Sequence, residues 1–306
     1  VTPAPGDVPA PTRQAAGTPP DDDPTTPPPA AAPDADPTAQ ARDENFPVAL
    51  RILPRAPRRH LMALYGYARM VDDIGDESAG DRLASLDAVE EELRGVYAGR
   101  PATTPVLATL ADTIRSCRIP VDPLVRLVEA NRVDQVVTRY ATFDQLVDYC
   151  ALSANPVGEL VLHVFGQHTP ERVVLSDRIC TALQIIEHLQ DIAEDYQADR
   201  VYLPKEDMDR FGVAEDDLAA GRAGPALRAL VEYESERAGA WLTSGEALLG
   251  SLRGFARLAV SGYCAGGRAA LGAIAASDFD PLPSPPRAAG TAVLGALART
   301  ILGRPR

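Results

Sequence analysis

The sequence has none of the short motifs that mark several large enzyme classes. It contains no GxxxxGK[ST], HExxH or GxSxG motif and no dinucleotide fingerprint, which excludes the commonest nucleotide-binding, zinc-protease and serine-hydrolase interpretations. Histidine and cysteine are also scarce, with four residues of each, and no two cysteines form a CxxC pair. We therefore expect reduced, buried thiols and no redox chemistry.

Positive charge and long apolar runs are lacking as well. The formal net charge is -13, so the chain has no basic excess with which to bind nucleic-acid phosphates, and we expect no nucleic-acid partner. No window reaches the ~18 apolar residues of a membrane span, and no basic region precedes an apolar run at the N-terminus. We expect a cytoplasmic protein. Peripheral contact with the inner face of the membrane is an open alternative, suggested by four basic residues: Arg51, Arg55, Arg58 and Arg59.

Proline is concentrated at the start of the chain. The first 41 residues hold 12 of the 28 prolines, six aspartates and one arginine, and Val1 and Val8 are their only large apolar side chains. Such a segment cannot bury a core, so we expect a disordered Pro/Ala/Asp-rich tail over residues 1–41. Residues 42–277 are long enough for one domain with a full core. Residues 278–306 are expected to be a C-terminal extension, either a short docked helix or a second tail.

Apolar residues in the rest of the chain recur at three- and four-residue spacings, interrupted by proline and glycine. This periodicity predicts an all-α bundle. The segment 200–204 (RVYLP) is expected to leave helical geometry, since proline cannot continue a helix. The predicted helices are 58–74, 82–97, 104–117, 122–139, 143–165, 171–196, 224–249, 252–256, 258–276 and 290–302.

Two of these helices carry matching polar stripes. Spacings of four, three and four residues at about 100° per residue place four side chains on one face of the first: Tyr65, Arg69, Asp72 and Asp76. The second repeats the spacing with Glu187 at the edge of its stripe, and its members are Gln184, His188, Asp191 and Asp195. The remaining faces of both helices are apolar, so the two stripes are expected to face something hydrated.

The paired aspartates indicate a metal site. Carboxylates one helical turn apart repel each other, and inside a bundle they also lose hydration unless a cation compensates them. Oxygen ligands favour Mg²⁺, which is usually completed by substrate phosphates. A single pair of this kind is usually a solvated surface feature, but its repetition on a second apolar helix favours several Mg²⁺ ions bridging a diphosphate leaving group.

Over about residues 44–276 the chain resembles the squalene and phytoene synthases. The motifs that carry the resemblance are YGYARMVDDIGDE (65–77), QDIAEDY (190–196) and RVYLP (200–204). It implies an isoprenoid-synthase-type, single-domain bundle with a central apolar cavity and a prenyl diphosphate substrate. It further implies that the four stripe aspartates bind Mg²⁺ and that the other functional residues contact substrate or diphosphate: Tyr65, Arg69, Gln184, Arg200 and Tyr202.

Three further stretches look like the bacterial hydroxysqualene synthase branch. They are ENFPVALRILP (44–54), EANRVDQ (129–135) and YCALSANPVGELVLHVFG (149–166). The branch implies a carbon–oxygen lyase of hopanoid biosynthesis, which ionises presqualene diphosphate, rearranges the cyclopropyl cation and captures it with water. No NAD(P)H is expected.

Some residues and activities leave alternatives open. Where the family usually has Asn three residues after the cavity glutamine, this chain has Glu187, a candidate substrate or metal ligand, followed by His188, which either acts on the attacking water or satisfies a buried hydrogen bond. Asn155, beside Pro156 and Gly158, either marks a kink or lines the cavity. The rival activities are squalene, phytoene or presqualene diphosphate synthase, and a noncatalytic helical scaffold that binds lipid or a partner. A pathway enzyme is a further candidate partner.

Overall fold

The computed structural model describes residues 53–76, 78 and 80–302, which all fall within one compact unit. The predictions for the tail, for 44–52 and for Arg51 lie outside the described residues. The helices are α1 (Arg55–Asp76), α2 (Arg82–Tyr97), α3 (Pro105–Cys117), α4 (Asp122–Asp134), α5 (Phe143–Ser153), α6 (Asn155–Val164), α7 (Pro170–Gln190), α8 (Ile192–Gln197), α9 (Lys205–Phe211), a 3₁₀-helix (Glu215–Ala219), α10 (Pro225–Gly245), α11 (Ala247–Ser251), α12 (Gly254–Ala276) and α13 (Gly290–Leu302).

The all-α prediction is confirmed, since the described residues contain no strand and only one isolated bridge, between Arg139 and Val201. Local signals in the sequence explain several helix starts. Asp81 caps α2 by accepting a hydrogen bond from the Ala84 amide, and Thr142 and Thr169 cap α5 and α7 in the same way. These side chains satisfy backbone N–H groups that have no partner within the helix.

Apolar clusters join the helices into a bundle. One cluster packs α1 to α4 around fully buried Val71, Leu86 and Leu124, and a second joins α7 to α10 around Ile185 and Leu230. Burying each such side chain stabilises the fold by roughly 1.5–3 kcal/mol before the entropy cost is counted. No described helix combines the length and apolarity that crossing a bilayer requires.

The C-terminal extension ends in a docked helix. Helix α13 packs along α12, and its Ala296 is 1% exposed. Of the two alternatives left open by the sequence for this segment, the docked helix is therefore confirmed.

Three predicted helices are wrong in their extent. The helix over 122–139 ends at Asp134 because residues 138–140 instead pair with the backbone beyond residue 200. The helix over 143–165 is divided at Ala154, immediately before Asn155 and Pro156, which confirms a kink there. The helix over 171–196 is interrupted at Asp191, whose φ and ψ of -104° and 16° end α7.

The second half of the bundle shows further differences. Residues 224–249 form two helices rather than one, and the separate short helix predicted at 252–256 is wrong because residues from Gly254 onward belong to α12. Helix α9 and the 3₁₀-helix were not predicted. Gly158 permits close packing of α6 on α7, since a Cβ there would lie 2.3 Å from Ser176 Oγ and 2.5 Å from Cys180 Sγ.

Candidate functional site

The first aspartate pair lies at the C-terminal end of α1, against α4. Asn131 of α4 donates through Nδ2 to Asp72 Oδ1 at 3.0 Å, and Gln135 Nε2 donates to the Gly75 carbonyl at the same distance. Gly75 allows this close approach, because a Cβ on it would lie 2.1 Å from Asn131 Oδ1. The Asp72 carboxylate is therefore oriented by a neighbouring helix.

Arg69 lies one turn before Asp73 and forms an ion pair with it. Its Nε is 2.8 Å from Asp73 Oδ1, so Asp73 balances the guanidinium charge beside the pair. Tyr65 is half-buried one turn further back on the same helix. The stripe predicted on α1 thus has the expected order along the helix.

Arg200 follows the second aspartate motif in the chain, and its side chain contacts the first aspartate motif. Arg200 Nη2 lies 2.6 Å from Asp76 Oδ1, and its side chain is only 21% exposed. A charge-assisted hydrogen bond of this length joins two motifs that are 124 residues apart in the chain. Both acidic motifs therefore belong to one site.

The second stripe runs along the C-terminal half of α7 into α8. Gln184 Nε2 and His188 Nε2 are 3.2 Å apart, and His188 Nδ1 lies 3.6 Å from Asp195 Oδ2. The His188 ring also stacks on Tyr202, with 3.6 Å between ring centroids and 12° between planes. The break at Asp191 thus leaves Gln184, His188 and Asp195 on one side, as predicted.

Backbone pairing fixes the segment that carries Arg200 and Tyr202. The chain leaves α8 through Asp199, whose φ is 60°, and the Val201 amide then donates to the Thr138 carbonyl at 2.9 Å. Arg139 secures this turn by donating to the Asp199 carboxylate and to Glu215. The prediction that 200–204 leaves helical geometry is confirmed.

Residues that the sequence did not single out complete the site. Tyr149 donates to Asp134 Oδ2 at 2.7 Å, and burial raises the pKa of Asp134 despite this hydrogen bond and the nearby Arg200. Tyr149 also lies close to Tyr202, with ring centroids 5.6 Å apart. The stretches 129–135 and 149–166 contain Asn131, Asp134 and Tyr149, so sequence similarity indicated their neighbourhood but not their contacts.

Two of the four aspartates have a pKa well above the ordinary value. Burial raises the pKa of Asp72 to about 6, helped by the charge of Asp76 and opposed by the Asn131 hydrogen bond, although solvent still reaches the residue. Burial also raises the pKa of Asp191 to about 6, and the charges of Glu194 and Asp195 add to this. The positive charge near Asp72 and Asp191 is not enough to cancel this rise in their pKa.

The C-terminal extension supplies a cation to this region. Arg287 lowers the pKa of Asp191 through its charge, and the Gln190 side chain donates to the carbonyl of the adjacent Pro286. The extension therefore lies against the second motif, a contact that no sequence pattern indicated.

Two predicted substrate-binding residues lie elsewhere or have other partners. Asn155 is 7% exposed, and its Oδ1 accepts a hydrogen bond from Thr181 at 3.0 Å, which joins α6 to α7. Glu187 is exposed at the edge of the α7 stripe. Their contacts with substrate remain predictions.

The chemistry of the donor set fits Mg²⁺. All four predicted ligands are carboxylates, and burial, together with acidic neighbours, raises the pKa of Asp72 and of Asp191, an effect that a bound divalent cation would offset. Asn131 and Arg200 already orient two of the carboxylates, Asp72 and Asp76, as groups around a metal site commonly do. The set contains no thiolate or imidazole that would favour a softer metal over magnesium.

Comparisons with known proteins find similarity over most of the chain. The family model for squalene/phytoene synthase matches residues 39–292 of this chain. A hydroxysqualene synthase from Rhodopseudomonas palustris is 35% identical over 218 residues, covering 70% of this chain and 73% of that protein. A phytoene synthase from Mycobacterium tuberculosis is 32% identical over 210 residues, covering 67% and 68%. The crystal structure of a squalene synthase from Alicyclobacillus acidocaldarius superposes with a TM-score of 0.74 at 42% identity, covering 79% of this chain and 92% of that one.

Proposed function

The chain belongs to the squalene/phytoene synthase family, and from this premise we propose that it converts presqualene diphosphate to hydroxysqualene with the help of Mg²⁺. The observation that carries the proposal is the Arg200–Asp76 contact, which joins the segment after the second aspartate motif to the first motif. The similarity to a hydroxysqualene synthase favours this reaction within the family.

Asp72, Asp76, Asp191 and Asp195 would hold Mg²⁺, which neutralises charge on a diphosphate leaving group when bound. Arg69, whose charge lowers the pKa of Asp72, and Arg200, which contacts Asp76, would bind diphosphate oxygens directly. Arg287 lies close enough to Asp191 to join them. This concentration of positive charge favours loss of diphosphate from the substrate carbon.

The aromatic side chains beside the aspartates suit a carbocation. Breaking the carbon–oxygen bond of presqualene diphosphate releases diphosphate and leaves a cyclopropylcarbinyl cation, which rearranges with ring opening. Tyr149, Tyr202 and the His188 ring pack into one aromatic cluster, whose π electrons would attract such a cation. Water then adds to the rearranged allylic cation and loses a proton, so that one water is consumed and no reductant is needed.

His188 is the residue best placed to handle that proton. Its ring lies between Gln184 and Asp195 and against Tyr202, and its side chain is 11% exposed. With one nitrogen facing Asp195, the other would accept a proton from water held near Gln184.

The proposal is tested by a product assay. Purified protein is incubated with labelled presqualene diphosphate and Mg²⁺ in the absence and presence of NADPH, and separately with farnesyl and geranylgeranyl diphosphates. We expect hydroxysqualene from presqualene diphosphate without NADPH. Incorporation of ¹⁸O from labelled water into the alcohol would establish that water ends the reaction.

Other products would favour the rivals. Squalene formed only with NADPH would identify a reductive squalene synthase, and phytoene from geranylgeranyl diphosphate would match the M. tuberculosis relative. Presqualene diphosphate as the end product from farnesyl diphosphate would identify a prenyltransferase. No turnover of any substrate by protein that binds diphosphate would favour a noncatalytic scaffold.

A further inference from the structure

A second group of metal-binding residues lies at the C-terminal end of α6. Glu159 and His163 are one turn apart on this helix, so their side chains project from the same face. His168 returns to them from the loop before α7, after a turn at Gly166, whose φ is 63°. One ligand atom from each of the three side chains lies within 4.8 Å of the others.

The surroundings of His163 favour the neutral imidazole, which is the form that ligates a metal. Its Nε2 is buried and has no hydrogen-bond partner among the described residues, although the ring also interacts with the Cys117 backbone. Burial and the nearby His168 lower the pKa of His163. A buried nitrogen without a partner costs free energy, and a metal ion would use its lone pair.

Glu159 is held in a suitable orientation by a second residue. Arg126 donates to its Oε2, which leaves Oε1 directed towards His168, 3.4 Å from that residue's Nε2. The carboxylate is 13% exposed and the His168 side chain 32% exposed, so an ion could reach the group from solvent past His168. Hydrogen bonds to the second oxygen of a ligating carboxylate are a common feature of metal sites.

The dimensions are close to those of a tetrahedral shell. Metal–ligand distances of ~2.0–2.1 Å place neighbouring donors roughly 3.4 Å apart, the separation already present between Glu159 and His168. The rings of His163 and His168 are stacked with centroids 4.1 Å apart, and side-chain rotations that bring one nitrogen of each ring to the same spacing would complete the shell. Two imidazoles and one carboxylate favour Zn²⁺ or a similar transition metal over Mg²⁺.

We propose that Glu159, His163 and His168 form a Zn²⁺-type site, separate from the aspartate site, with the remaining position open to water. A metal there would tie the end of α6 to the loop that leads into α7. His163 lies eight residues beyond Asn155, about 12 Å along the helix, so the ion would stabilise the α6–α7 junction at the end of α6 away from Asn155.

The test uses the full chain after removal of metals with a chelator. Zn²⁺ binding is measured by titration calorimetry, Co²⁺ binding by its visible absorption, and stability by thermal unfolding with and without Zn²⁺. We expect one ion per chain, tetrahedral Co²⁺ absorption and a higher Tm with Zn²⁺. His168→Gln, a change at a partly exposed position, should weaken Zn²⁺ binding at least about tenfold and abolish the Tm increase.

Two further variants, one in the proposed Zn²⁺ site and one in the aspartate site, show which residues hold the ion. His163→Gln should lose the Co²⁺ absorption even if its own Tm is lower, whereas Asp72→Asn/Asp76→Asn should retain it because that double variant alters only the aspartate site. Absence of Zn²⁺ binding by the unaltered chain, or unchanged affinity in His168→Gln, would overturn the proposal. Loss of binding in the aspartate double variant would do so as well, because it would place the ion elsewhere.

Discussion

Arg200 donates to Asp76 at 2.6 Å, so a residue of the RVYLP segment compensates an aspartate of the first motif. In this arrangement the guanidinium occupies space beside a predicted metal ligand. Binding of metal and diphosphate would therefore require Arg200 to share Asp76 or to turn towards phosphate oxygens. The contact makes this arginine sensitive to substitution even by another cation.

Arg200→Lys tests that dependence. Lysine keeps the charge but lacks the planar fork that serves a carboxylate and a phosphate together. We expect kcat/KM to fall by about 10–100-fold, with little change in Tm. Arg222→Lys is the matched control, since the Arg222 side chain is 80% exposed. Equal activity of the two variants would show that Arg200 does not contact diphosphate.

Asp191→Asn tests the metal site. The amide keeps the shape of the side chain but removes a negative ligand, so we expect kcat/KM to fall by at least about 100-fold and the Mg²⁺ concentration for half-maximal rate to rise. Chelation should abolish the activity of the unaltered chain, and added Mg²⁺ should restore it. Asp148→Asn, on the exposed surface of α5, should behave like the unaltered chain. Full activity of Asp191→Asn would remove this residue from the ligand set.

Gly75→Ala tests the packing that orients Asp72. The new methyl group would lie 2.1 Å from Asn131 Oδ1, so Asn131 must move and weaken its hydrogen bond to Asp72. We expect a loss of about 1–3 kcal/mol in unfolding free energy, measured by urea titration, and a lower kcat.

Gly66→Ala is the control on the same helix. No described heavy atom lies within 4 Å of its Cβ position, and alanine favours helix by up to about 1 kcal/mol. If Gly75→Ala were as stable as Gly66→Ala, the close α1–α4 approach would be contradicted.

Glu234→Gln tests a buried charge outside the site. Glu234 is 1% exposed, and burial raises its pKa to about 8, against the pairing with Arg237 and with the help of acidic Asp207 and Glu206. Between the ordinary carboxyl pKa near 4.5 and this value, the folded chain binds more protons than the unfolded chain. The stability of the unaltered chain therefore falls as pH rises through this window.

Glutamine cannot ionise, so the variant lacks this contribution to the decline. We expect the unfolding free energy of Glu234→Gln relative to the unaltered chain to rise by on the order of 3 kcal/mol from about pH 5 to about pH 8. Glu232→Gln, at an exposed position on the same helix, should show no such trend. If the difference in unfolding free energy between Glu234→Gln and the unaltered chain did not change with pH, folding would not raise the pKa of Glu234.

Periodicity predicted the helices best where local signals agreed with packing. Helix α2 has its predicted limits because Asp81 caps its start and Gly99 and Pro101 follow its end. The predicted continuation of α4 failed because Val136 and Val137, which are weak helix formers, lead into backbone pairing with a segment over sixty residues away. That competition is invisible in a local window.

The site shows the same limit. Spacing was enough to place Asp72 with Asp76 and His188 with Gln184, since one helical turn separates the members of each pair. It could not show that Asn131 orients Asp72, that Tyr149 bonds Asp134, or that Arg287 approaches Asp191, because these contacts join separate helices or loops. The break at Asp191 was also hidden, since the residues on both sides of it favour helix.

The backbone hydrogen bond between Val201 and Thr138 makes the chain length between the second aspartate motif and Arg200 part of the geometry of the candidate site. Successive side chains of an extended segment point to opposite sides, so their order determines which of them faces the carboxylates. If one residue were inserted after Asp199 and the pairing with Thr138 kept its position, the inserted side chain would take the place of Arg200, and Arg200 would turn to the opposite side. The five-residue step from Asp195 to Arg200 is therefore constrained as a length, independently of the identities of the residues within it.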